Sequence, residues 1–203
     1  MPDRAGIAAI VLAAGSSSRF GSEKLLHPVT LQGVTLPLAA HSLRPWLENF
    51  EHTTVVVRPG SETLCGAITA ALGATASASI RWSVCQDAAQ GMAASLACGV
   101  RANLEAAGWM IGLADMPALP SAAIAGVRSA LLAGADLSAT MRDGRRGHPA
   151  GFSHLYGEEL LALKGDAGAR HLLERDKSNL VQIEIGDNGI FADVDVPGDL
   201  HRL

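Results

Sequence analysis

The first apolar run along the chain, residues 7–13, reads Ile-Ala-Ala-Ile-Val-Leu-Ala without a polar interruption. A continuous run of that length predicts a parallel strand covered on both faces. Residues 53–57, Thr-Thr-Val-Val-Val, predict a second strand rich in β-branched side chains, and residues 80–84 and 109–113 predict a third and a fourth. Helical periodicity fills the intervals at residues 36–47, 62–72 and 92–106. Farther along, the pattern predicts a helix at residues 121–132, strands at 137–140 and 150–152, helices at 155–163 and 167–175, and a closing strand at 181–185. Alternation of strand and helix predicts a three-layer α/β fold with right-handed crossovers. No long linker or internal repeat divides the chain, so residues 1–203 are expected to form a single domain.

In an open α/β sheet, ligands bind beyond the carboxyl ends of the strands. That rule singles out residues 14–24, 58–61, 85–91 and 114–120. The first is the richest: Leu12-Ala13-Ala14-Gly15-Ser16-Ser17-Ser18-Arg19-Phe20-Gly21-Ser22-Glu23-Lys24 sets small residues, hydroxyls and two cations directly after a buried strand. Gly15 and Gly21 permit close approach of backbone to ligand, and successive amides can face phosphate oxygens. Arg19 offers a planar fork for phosphate and Lys24 a mobile point charge. Two commoner phosphate loops are excluded. Phe20 stands where a P-loop needs its second glycine, and Ser17 where a dinucleotide fingerprint needs its own.

The fourth strand runs into Gly112-Leu-Ala-Asp115-Met116-Pro117, which places a carboxylate at the same edge. Further carboxylates lie in Asp193-Val-Asp195-Val-Pro197-Gly-Asp199, where Asp199 is the expected helix cap. Magnesium takes one or two protein carboxylates together with phosphate oxygens and water, so Asp115 with either Asp193 or Asp195 meets its needs if folding brings them together. Gly91 is expected to reverse the chain into a helix whose amides face a nucleotide, with Ser95 one turn inside. Arg142, Arg145, Arg146 and His148 form the densest positive cluster of the second half, suited either to a solvated hairpin or to docking a second substrate's phosphate.

Composition narrows the classes. Hydrophobic residues make up 48% and charged residues 18% of the 203, as in ordinary globular proteins. A formal net charge of −4 argues against nucleic acid as the main partner, so an anionic substrate needs a local positive cluster or a metal. Cys65, Cys85 and Cys98 lack metal-ligand spacing and are expected to be reduced thiols. No apolar stretch approaches a bilayer span and the first residues lack a signal-peptide pattern, so a cytoplasmic protein without a membrane partner is expected.

The first loop resembles the L-A-A-G-x-S-x-R-x-G-x-x-K signature of sugar-nucleotide and cofactor nucleotidyltransferases. Three further segments narrow the resemblance: Gly91-Met-Ala-Ala-Ser95-Leu, Gly147-His148-Pro149-Ala-Gly-Phe152 and Gly165-Asp166-Ala-Gly168-Ala-Arg170. All three resemble segments of the molybdenum cofactor cytidylyltransferases, within the MobA-like NTP transferase family. The resemblance implies a Rossmann-like nucleotidyltransferase fold with a mostly parallel mixed sheet, and transfer of a nucleoside monophosphate from CTP or GTP to the phosphate of molybdopterin. It assigns catalysis to Arg19, Lys24 and Asp115, with Mg2+ held by Asp115 and, by preference over Asp193, Asp195. Nucleotide binding falls to Leu12, Ala13, Ala14, Gly15, Ser16, Ser17, Ser18, Arg19, Gly21, Lys24, Arg58, Asp87, Gly91, Ser95 and Asp115, and the acceptor to Arg146 and His148. A molybdoenzyme or its maturation factor is the implied protein partner. Ala14, where guanylyltransferases carry a second glycine, favours cytidine; Met116 departs from the usual Asp-Gln-Pro and leaves base and acceptor open. A sugar or isoprenoid precursor as acceptor, or a catalytically silent nucleotide-binding regulator, are the competing functions.

Overall fold

The computed structural model describes residues 5–15, 20, 23–165 and 168–203. Strand β1 (Ala5–Leu12) lies centrally, parallel to β4 (Thr53–Val57) on one side and to β6 (Ala106–Leu113) on the other. Beyond β4, β5 (Ile80–Val84) forms one edge; beyond β6 come β8 (Arg145–Ser153), β7 (Leu137–Arg142) and β9 (Leu180–Glu184). Within this seven-stranded sheet only β8 is reversed, pairing antiparallel with both β6 and β7.

The alternation along β1 explains its continuous apolar run. Ala9 and Val11 enter one core, shared with α1 (Leu38–Asn49), α2 (Glu62–Ser77) and α4 (Ser121–Leu132). Ile10 and Leu12 enter a second core, shared with α3 (Met92–Arg101), α5 (Gly157–Ala162) and α6 (Arg170–Arg175). Successive side chains point to opposite faces, so a strand with helices on both faces has no wet side. This is the expected three-layer, Rossmann-like arrangement around a mostly parallel mixed sheet.

Three differences from the sequence expectations have physical reasons. Residues 36 and 37 belong to a strand, because β2 (Pro28–Leu31) and β3 (Val34–Pro37) form a hairpin through Gln32 and Gly33, both at positive φ. A two-residue turn of that kind matches the strand twist, and α1 starts only after Pro37. Residues 145–149 extend the strand expected at 150–152, since Asp143 and Gly144 make a second positive-φ turn that pairs Arg142 with Arg145. The helix expected at 92–106 stops at Arg101, and Ala106 already belongs to β6. Among the described residues, no helix is long and apolar enough to cross a membrane.

From β1 the chain moves outward to β4 and β5, then returns through α3 to β6 on the other side of β1. The reversal opens a crevice between the carboxyl ends of β1 and β6, the switch point where α/β folds hold ligands. The residue after β1 turns toward β4 (Ala13 N–H to Val56 O, 2.8 Å), and the residue after β6 turns back to β1 (Ala114 N–H to Leu12 O, 3.0 Å).

Candidate active site

A cleft of about 670 Å³ occupies this switch point. Its floor is the end of β1, with Leu12, Ala13, Ala14 and Gly15. Arg58 and Pro59 flank it from β4, Gln86, Ala88 and Ala89 from β5, and Gly91, Met92 and Ser95 from the start of α3. Lys24, Leu25, Leu113, Asp115 and Asp195 close the other side. Gly91 has φ +112°, a conformation that L side chains rarely adopt, and this turn delivers the α3 N-terminus to the cleft. Part of that terminus is occupied already, because the Ala93 N–H donates to Gly165 O at 3.0 Å.

Lys24 carries the central charge. It begins a 3-10 turn, Lys24–Leu26, whose Leu25 is buried in the core beside Phe20. The lysine is only 8% exposed. Its Nζ donates to Asp115 Oδ2 at 2.8 Å and stands 3.6 Å from Asp195 Oδ1. The expected mobile loop cation is thus a buried, paired one. The apolar Leu25-Leu26 after it was the sequence signal, since a lysine leading a buried turn cannot extend freely into solvent.

Asp195 reaches this point through the C-terminal segment. The Val194 N–H donates to Asp115 O at 2.9 Å, and Val194 itself is fully buried. Asp199 Oδ2 accepts the N–H groups of Asp195 and Val196, both at 2.8 Å. Those backbone bonds hold the Asp199 carboxyl below the usual carboxylate range. Asp199 is the expected cap, and the backbone it caps is the one that presents Asp195. Gly189 lets the same segment press against the Asp115 loop, because a Cβ there would collide with the carbonyl oxygen of Ala118.

Between the two carboxylates left open by the sequence, Asp195 is the one on Lys24. Asp193 lies where its charge acts, with that of Asp115, on His148. Burial holds His148 below the ordinary histidine range against both charges, and its Nδ1 is sealed from solvent without a hydrogen-bond partner among the described residues. Arg146 stands 3.6 Å from Glu174, Arg145 stacks over the Phe191 ring at 4.2 Å, and Arg142 Nη1 donates to Gly186 O. The basic cluster is therefore divided among separate partners, and neither Arg146 nor His148 lines the switch-point cleft.

Asp87 is the one described member of the nucleotide set outside the cleft wall. Its Oδ1 accepts from Gln90 Nε2 at 3.0 Å, closing the turn before Gly91. Ser16, Ser17, Ser18, Arg19 and Gly21 lie outside the described residues, as does Asp166. Arg58 donates to Gly15 O at 3.4 Å and pairs with Glu23, tying the loops after β1 and β4 together. Pro59, Gln86, Ala88, Ala89 and Met92 were not singled out by sequence. All but Met92 fall inside the strand-end loops, and none bears a charge to mark it. Met116, the departure from the usual motif, is 1% exposed and packs in the core, away from the cleft.

A family model described as the MobA-like NTP transferase domain matches residues 9–180. The chain belongs to this family. Members are nucleotidyltransferases that generally use divalent metal ions and bind nucleoside triphosphates and phosphorylated acceptors. The purine catabolism protein PucB of Bacillus subtilis is 33% identical over 199 residues, covering 93% of this chain and 91% of that protein. The crystal structure of Rv0371c from Mycobacterium tuberculosis superposes with a TM-score of 0.76 at 22% identity, over 98% of this chain and 97% of that one. Its manganese complex gives 0.68 at 21%, over 97% and 96%. Molybdopterin-guanine dinucleotide biosynthesis protein A from Archaeoglobus fulgidus gives 0.61 at 18%, over 98% and 96%.

The residues present suit such a metal. Asp115 turns Oδ2 to Lys24 Nζ at 2.8 Å and Asp195 turns Oδ1 to the same cation at 3.6 Å, so the two carboxylates already face one point that a cation can occupy. With Asp195 beside it, the donors are hard oxygens, the kind magnesium and manganese prefer. Among the described residues no three His, Cys, Asp or Glu side chains gather as a metal site, so a metal held here would take its remaining donors from phosphate oxygens or water.

Proposed function

We propose that this nucleotidyltransferase moves a cytidylyl group, or alternatively a guanylyl group, from its triphosphate to the phosphate of molybdopterin, releasing pyrophosphate. The observation that carries the reading is Lys24 poised between Asp115 and Asp195 in the cleft behind the Leu12–Gly15 turn. Strands β5, β4, β1 and β6 lie side by side, so three spacings of ~4.8 Å separate the outer loops by roughly 14 Å, a span along which base, ribose and phosphates can lie in line. The base then lies toward Pro59 and Gln86, and the reacting phosphorus toward Asp115. Ala14, in the cleft wall, favours cytidine.

In this mechanism the acceptor's terminal phosphate attacks the α-phosphorus in line. That nucleophile is already anionic, so no protein base is needed. Lys24 neutralises charge as it develops, and Arg19 with the loop amides holds the β and γ phosphates. Asp115 and Asp195 would hold Mg2+, which supplies Lewis-acid charge to the phosphates. Arg146 and His148 receive the acceptor from β8, whose first residues lie beside the Asp115 loop. We place the whole chain in one cytoplasmic nucleotidyltransferase domain, with a molybdoenzyme or its maturation factor as recipient. The names of PucB and of the Archaeoglobus protein support a purine-catabolic or molybdopterin context.

The test is pyrophosphate release from CTP and from GTP with molybdopterin, for wild type and Asp115→Asn. Wild type should turn over and prefer CTP, while the variant keeps its fold and loses activity at least ~10²-fold, since asparagine keeps the shape without the charge. Turnover with a sugar or isoprenoid phosphate instead would reassign the acceptor. Nucleotide binding without turnover on any acceptor would make the protein a silent regulator.

A further inference from the structure

We infer that the Lys24 ammonium is a built-in competitor of the divalent metal: it holds both site carboxylates in the free enzyme and yields them only when a triphosphate arrives. The inference rests on the metal-dependent reading above and adds an order of binding to it. Nζ lies 2.8 Å from Asp115 Oδ2 and 3.6 Å from Asp195 Oδ1, so one cation already spans the two groups that a metal would use. The other Asp115 oxygen, Oδ1, is sealed from solvent. An ion entering from the cleft therefore meets the edge of the carboxylate that Lys24 holds. To ligate that edge at ~2.1 Å it would have to stand against the ammonium, and two like charges repel strongly where water is scarce.

The lysine cannot simply drift away. Its turn is closed by Leu26 N–H to Glu23 O at 2.9 Å and His27 N–H to Lys24 O at 3.0 Å, and Leu25 anchors it in the core. Its side chain is 10% exposed, so leaving both carboxylates without a new anionic partner strands a desolvated charge. Phosphate oxygens supply that partner. Metal and nucleotide then favour each other's binding, and by linkage the effect is reciprocal.

The experiment is titration of Mn2+ alone into nucleotide-free protein, followed by electron paramagnetic resonance of free Mn2+, for wild type and Lys24→Met. It is repeated with a non-hydrolysable CTP analogue. Wild type should bind Mn2+ weakly alone and at least about tenfold more tightly with the analogue, and Lys24→Met should bind Mn2+ alone at least about tenfold more tightly than wild type. Equal affinities of wild type and variant for Mn2+ alone would overturn the competitor role while leaving metal-dependent transfer standing. No Mn2+ binding by wild type even with the analogue would remove the metal-dependent reading and this inference with it.

If Lys24→Met does not fold, wild type supplies a second measurement. The chain has three lysines, Lys24, Lys164 and Lys177, so the Lys24 side-chain amine can be resolved by 15N nuclear magnetic resonance. Its resonance should move with the same midpoint as Mg2+ occupancy. Saturation of the metal site with the Lys24 signal unmoved would also overturn the inference.

Discussion

Lys24 reaches the carboxylate of Asp115 across 91 residues of chain, and that contact changes what its removal should do. A solvated loop lysine could be cut to alanine at little cost to folding. Here the cut leaves a charge-assisted hydrogen bond unmade beside two carboxylates. Lys24→Ala should therefore lose ~10²-fold or more in turnover and also melt a few degrees lower, from a destabilisation of about 1–3 kcal/mol. Calorimetry and pyrophosphate release check both parts, and an unchanged melting temperature would contradict the buried pairing. Arg146 makes the opposite case. Its partner Glu174 is largely exposed, so Arg146→Ala should barely move the melting temperature. If it grips the acceptor phosphate, the acceptor KM should rise ~10–100-fold with CTP affinity unchanged. Equal weakening of both substrates would move Arg146 to the nucleotide, and no effect on either would leave it a structural partner of Glu174.

At the scale of elements, the C-terminal segment is held by one residue that does not line the cleft. Asp199 gathers the Asp195 and Val196 amides, and its carboxyl is kept ionised by them. A depressed folded-state pKa gives stability that is present above the unfolded value, near 4, and is lost as pH falls through the folded value. Asp199→Ala should therefore be less stable than wild type at neutral pH, with the gap closing in melts run below about pH 4. Turnover should fall as well, because Asp195 loses its support, while Lys24 and Asp115 remain in place. A variant with wild-type turnover would show that Asp195 needs no such brace.

Across the whole molecule, the layers were legible because the strands are continuous apolar runs and the helices keep their period. Direction was not: β8 has the same apolar character whether it runs with β6 or against it, and only the Asp143-Gly144 turn betrays the hairpin. Where charge met a strand end, as at Lys24, Arg58 and Asp115, the residues singled out do line one cleft. The Asp-Val-Asp string by itself offers two equivalent carboxylates; the resemblance favoured Asp195, and the Val194 N–H to Asp115 O bond brings that one beside Lys24. Asp87 was singled out as a carboxylate in a strand-end loop; it closes its own turn on Gln90 and does not line the cleft.

The reversed strand has one more consequence. Parallel strands meet the crevice at their carboxyl ends; β8 meets it at its amino end, so the β7–β8 turn hangs at the same rim as the loops after β1, β4 and β6. A β-turn can lengthen or shorten without disturbing the sheet that carries it. On the proposed function the two tasks are physically separate: nucleotide contacts fall on strand ends that packing fixes, while the facing rim ends in a turn. If that rim takes the acceptor as proposed, grafting the 142–145 turn from a relative should shift acceptor preference while nucleotide affinity stays unchanged.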